Sequence, residues 1–187
     1  MFAEFLNQGF FHILDIEALD HLLFLLVIGI VYDLSSWKKL LWVLTAFTIA
    51  HSLSLALSVL NLVNINPYII EILIPITILI TSIENLINPK PHKYSIFLAG
   101  IFGLIHGLGF SSALKELFLG MEVNFFETLL PFNIGIELAQ IVIVTALIFL
   151  LHYFNKLKLL AYCKLVRIVS AFVAVQAIVW IALRINN

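Results

Sequence analysis

Long apolar runs broken by short polar stretches dominate the chain. The runs fall at about 19–34, 37–61, 67–88, 94–114, 127–153 and 162–184. Most reach or exceed the roughly 20 residues that carry a helix across a hydrocarbon layer about 30 Å thick. The breaks hold turn-forming residues: Asp33-Leu34-Ser35-Ser36, Asn64-Ile65-Asn66-Pro67, Asn88-Pro89-Lys90-Pro91, and Gly120 to Asn124. Apolar and polar positions do not alternate with period two, which excludes a transmembrane β-barrel. The pattern therefore predicts an all-α fold: a polytopic membrane protein built as a six-transmembrane-helix bundle. A short N-terminal segment, Phe2 to Leu14, is too brief to cross. It is expected to lie at the interface or fold back as a half-helix. With no long linker, low-complexity tract or internal repeat, residues 1–187 read as a single transmembrane domain.

Composition strengthens that reading. Hydrophobic residues make up 63% of the chain and charged residues 11%, whereas a soluble domain carries about a quarter charged. The net charge of −1 gives no sign of a nucleic-acid partner. One cysteine, Cys163, forms no internal disulfide and no thiolate cluster. The first twenty residues hold no Lys or Arg but contain Glu4, Asp15, Glu17 and Asp20, so no cleavable signal peptide is expected and the first helix is expected to insert the chain. Basic residues follow every second run: Lys38 and Lys39, then Lys90 and Lys93, then Lys156, Lys158 and Lys164, against Lys115 and Arg184 on the other side. That bias places both termini outside, which in a bacterial inner membrane means the periplasm. Self-association is left open.

Ionisable residues inside the runs are the candidate chemistry, because each is costly to face toward lipid. Asp20 and His21 open the first run, and His51 lies near the middle of the second. Glu71 is a turn inside the third, His106 about two turns inside the fourth, and Glu137 about ten residues into the fifth. All fall in the outer leaflet, so they are expected to converge on one another or on a water-filled cavity. Helical spacing adds neighbours. Asn133, Glu137 and Gln140 share one face, Thr48, His51 and Ser58 another with Ser54 beside them, and Glu71, Pro75, Ser82 and Asn85 a third. Gly100, Gly103, Gly107 and Gly109 surround His106 and permit close helix approach.

Four segments resemble the successive motifs of the HupE/UreJ family. They are Gly9-Phe10-Phe11-His12 followed by Leu19-Asp20-His21-Leu22-Leu23-Phe24; Phe47-Thr48-Ile49-Ala50-His51-Ser52-Leu53-Ser54; Phe102-Gly103-Leu104-Ile105-His106-Gly107-Leu108-Gly109-Phe110; and Phe132-Asn133-Ile134-Gly135-Ile136-Glu137-Leu138-Ala139-Gln140. The resemblance runs in order from about residue 9 to 140 and implies six helices, an outward amino terminus and a role in supplying nickel or cobalt for hydrogenase or urease maturation. The chain departs from many members in showing neither a leader nor a histidine-rich stretch.

Imidazoles joined by carboxylates suit nickel, cobalt, zinc or iron, whereas copper(I) calls for sulfur and calcium for oxygen alone. The expected ligands are His21, His51, His106, Asp20, Glu137 and His12. Glu71, Asn133, Gln140, Ser52, Ser54 and Thr48 are expected to support them or line the cavity. Each has a plainer role: packing for His51 and His106, interfacial solvation for His12, Glu71, Asp20 and His21, and a carboxyl paired with Asn133 or Gln140 for Glu137. Two function classes follow. One is a permease for a divalent metal ion, nickel, cobalt or zinc. The other is an intramembrane zinc hydrolase with Glu137 as general base. The sequence contains neither HExxH nor GxSxG.

Overall fold

Each apolar run free of interior breakers becomes a helix. The computed structural model describes residues 2–15, 19–117, 125–157 and 161–186, with the side chains at 110–117 and 125 excluded. The break at Gly120 to Asn124, Glu17 and Lys158 therefore lie outside the described residues, as does the Lys115 side chain. Helices run over α1 (Phe2–Leu14), α2 (Leu19–Gly29), α3 (Trp37–Val59), α4 (Pro67–Ile87), α5 (Ser95–Leu117), α6 (Leu130–Lys156, led in by a π-helical turn at Phe125–Leu129) and α7 (Tyr162–Ile185). No strand occurs among the described residues. Among the described residues, four helical segments are long and apolar enough to cross a membrane: Trp37–Val59, Pro67–Ile87, Phe126–Lys156 and Tyr162–Ile185. Their outward faces are apolar. Trp42, Phe149, Phe172 and Leu183 are all exposed, the pattern of a surface solvated by lipid.

Local chemistry sets the boundaries. The Asn66 side chain accepts the Tyr68 N–H at 3.0 Å, and Pro67 supplies the pre-set first turn of α4. Between α2 and α3, one Asp33 carboxylate oxygen accepts the N–H groups of Ser35 and Ser36, each at 3.0 Å, and both their hydroxyls at 2.7 Å. The Ser35 and Ser36 donors hold this carboxyl below the usual carboxylate range.

Residue pairings give the helix directions. Gly103 lies on the backbone of Phe47 and Gly107 on that of His51, so α3 and α5 run parallel. Gly109 faces Ile70 and Ile74 while His106 faces Thr77, so α4 opposes α5. Without side chains, Gly103 and Gly107 let the two backbones touch. α1 docks on α6 in the same manner, with Gly9 against the Phe132 backbone and Gly135 against that of Leu6, which buries Phe5 and Ile13. The small residues Ser170, Ala174 and Ala177 form part of the buried face of α7.

α2 stops after 11 residues, yet Ile30, Val31 and Tyr32 remain buried. Non-helical backbone at that depth needs internal partners. The Asn85 amide donates to the Val27 carbonyl at 2.7 Å, and the Tyr162 hydroxyl to that of Ile30 at 2.6 Å. Tyr162→Phe orphans that second carbonyl, so the detergent-solubilised protein is expected to lose about 1–3 kcal/mol. A thermal melt followed by circular dichroism measures this as a lower midpoint with unchanged helix content. An unshifted midpoint would mean that another donor serves Ile30.

Candidate metal centre

Three helices each carry one fully or almost fully buried imidazole to a common level. His51 from α3 and His106 from α5 are 0% exposed, and His21 from α2 is 6% exposed. His21 is the hub. Its ring centroid lies 5.4 Å from that of His106, 6.2 Å from that of His51 and 5.0 Å from that of His12 on α1. Close packing of α3 on α5 brings His51 and His106 together, and docking of α1 on α6 brings in His12.

Hydrogen bonds fix which nitrogens are available. The backbone N–H and Nδ1 of His21 both meet Asp20 Oδ1, each at 2.9 Å. A carboxylate accepting from Nδ1 leaves the lone pair on Nε2, and His21 Nε2 is buried with no hydrogen-bond partner among the described residues. Thr77 Oγ1 donates its one hydrogen to the Ile74 carbonyl at 2.7 Å and lies 3.0 Å from His106 Nε2. It therefore accepts from Nε2–H, which leaves the lone pair on His106 Nδ1, also buried and unpartnered. Both ring nitrogens of His51 are in the same condition. Buried polar atoms normally find partners, so orphaned nitrogens in one small volume mark a place for a missing ligand. Neutral imidazole lone pairs are the donors a divalent transition metal takes. Among the described residues, no three His, Cys, Asp or Glu side chains are already gathered around one point, so joint coordination requires ring rotation.

The other sequence-predicted residues occupy two further places. Glu137 accepts from the Thr45 hydroxyl at 2.7 Å, and Gln140 Oε1 from the Thr48 hydroxyl at 3.0 Å. These bonds form a polar contact between α3 and α6 whose nearer member, Thr48, is three residues from His51. Asn133 donates to the Leu129 carbonyl at 2.8 Å, and its Oδ1 is buried without a partner among the described residues. Ser52 and Ser54 bond to backbone carbonyls of their own helix, those of Thr48 at 2.7 Å and His51 at 3.1 Å. Glu71 is exposed on the first turns of α4, whereas Pro75, Ser82 and Asn85 are buried. Sequence reasoning missed Thr77 and Thr45. Thr77 was visible as part of a buried stripe with Thr81 and Asn85 at i, i+4 and i+8.

Beneath the imidazoles lies an aromatic layer. Phe24 is three residues after His21, Phe47 four before His51, and Phe102 four before His106. Phe24 stacks at 5.0 Å on Phe47 and at 6.0 Å on Phe102, and it lies 5.2 Å from the His106 ring. The three rings are almost completely buried.

These features define a helical membrane protein with a buried imidazole layer beside a carboxylate. The chain belongs to the HupE/UreJ family: the family model described as HupE / UreJ protein matches residues 1–184. No match to the chain was found among curated proteins or solved structures.

Proposed function

We propose that this protein is a permease for a divalent metal ion, nickel or cobalt before zinc, whose entry site is the imidazole layer of His21, His51 and His106 with His12 beside it. The observation that carries this reading is the set of orphaned, buried ring nitrogens on His21, His51 and His106, whose rings lie within 6.2 Å of His21 next to the Asp20–His21 pair. Family membership adds the association with nickel and cobalt handling. In this reading six segments cross the bilayer as one transmembrane domain, the first of them α2 continued by the buried residues Ile30, Val31 and Tyr32 and the others α3 to α7, and α1 folds back against α6. The Lys38, Lys90 and Lys156 loops face the cytoplasm of a bacterial inner membrane, and both termini lie outside. Asp20 orients the His21 ring. Glu137, Gln140 and Asn133 extend the polar lining along α6. Imidazoles that bind a cation without thiolates can also release it, as permeation requires.

Proteoliposomes holding the full chain are expected to accumulate radiolabelled nickel above protein-free vesicles. Asp20→Asn keeps a side chain of the same shape but weakens the acceptor behind His21, so the concentration for half-maximal uptake is expected to rise by about 10–100-fold. Uptake no greater than in empty vesicles would sink the permease reading.

A further inference from the structure

On the far side of the aromatic layer the same helices enclose a second polar place. A cavity of about 20 Å³, roughly the space of one water, is lined by Thr81, Glu84, Asn85, His92, Ser95 and Phe102. It lies against the end of α2, since Ile28, Val31 and Tyr32 complete its wall. Through Tyr32, His92 and Ser95 it adjoins a wider cavity of about 410 Å³ that reaches Lys39 and Lys93 on the basic side. Along α5, Phe102 stands about 6 Å below His106 and Ser95 about 10 Å further, at 1.5 Å per residue. Along α4, Thr81 is one turn below Thr77, the partner of His106.

Three features make this cavity suited to a cation. Glu84 supplies a carboxylate, and His92 an imidazole whose Nε2 is buried with no partner among the described residues. The carboxyl end of α2 carries the negative pole of the helix dipole, and broken membrane helices present such ends to cations.

We propose that the Glu84–His92 cavity is a second, weaker site for the same divalent cation, from which it leaves on the basic side, and that Phe24, Phe47 and Phe102 separate it from the imidazole layer. An apolar constriction between two polar sites blocks a hydrated ion until the rings move. This inference rests on the permease reading and gives it the inner polar lining that transport needs.

Equilibrium dialysis of the full detergent-solubilised chain with radiolabelled nickel tests it. Two classes of bound nickel are expected. His92→Ala is expected to remove the weaker class and slow proteoliposome uptake by about tenfold, the scale of losing one partner of a metal site. Glu84→Gln, a change of similar shape, is expected to act in the same direction, with an unshifted gel-filtration profile showing that the fold persists. His21→Ala is expected to remove the tighter class and leave the weaker one. If His92→Ala and Glu84→Gln change neither class nor the uptake rate while wild type still transports, the inner site is overturned and the permease stands. If wild type binds and transports nothing, both fall.

Discussion

His21→Ala is expected to lower nickel retention by more than the roughly 10–100-fold that loss of an outer-shell partner costs, because it removes the ring through which the other imidazoles meet. His21 is within 6.2 Å, centroid to centroid, of His12, His51 and His106. Its loss also leaves the half-buried Asp20 carboxylate beside an empty space with the residue-21 backbone N–H as its remaining donor from that residue, an arrangement that attracts water to the start of α2. Removing His51 or His106 leaves two imidazoles and the Asp20–His21 pair, so the loss there is expected to be smaller. Equilibrium dialysis at several nickel concentrations gives the ranking, with His152→Ala as the histidine control, since that residue is exposed at the opposite end of α6. Equal retention by His21→Ala and wild type would remove the imidazole layer from the account of binding.

Convergence is legible in the sequence for groups whose helix rotation can also be read: the His51 and His106 rings lie 6.2 and 5.4 Å from that of His21. His21, His51 and His106 lie at one level because the rise per residue is fixed, and they face inward because neighbouring small residues mark the packed face. Glu71 shows the limit. Helical spacing gives it the same α4 face as Pro75, Ser82 and Asn85, yet it is exposed while those three are buried. An all-apolar helix gives almost no periodic signal to fix its rotation, and a carboxylate near the headgroup level is cheaply solvated. Thr77 escaped notice because threonine is ordinary in membrane helices; only its place in the Thr77, Thr81, Asn85 stripe marks it. The aromatic layer was written in the spacing Phe47 to His51, Phe102 to His106 and His21 to Phe24, but an Phe among many apolar residues looks like packing until coordinates bring the rings together. The docking of α1 on α6 depends on Gly9 and Gly135, two residues 126 positions apart, a pairing that a single sequence cannot reveal.

Gly107→Val is expected to unfold or loosen the centre by forcing the α5 backbone away from that of α3 at His51. A Cβ at residue 107 would strike the Ser54 Oγ and the carbonyl of His51, and backbone cannot swing aside as a flexible side chain does. Overpacking of a close contact costs about 1–3 kcal/mol and more where backbone must move, and here the displaced backbone carries a candidate ligand. Stability and nickel retention should therefore fall together, whereas His21→Ala should lower retention by far more than its effect on the melting midpoint accounts for. Gly100→Ala supplies the comparison within the same helix. A Cβ there meets nothing within 4 Å, and alanine is better than glycine in a helix interior by about 0.8–1.0 kcal/mol, so that variant should melt no lower than wild type and retain nickel unchanged. If Gly107→Val matched Gly100→Ala in both measurements, the tight α3–α5 crossing would not be what holds His51 against His106, and the convergence of the imidazoles would need another cause.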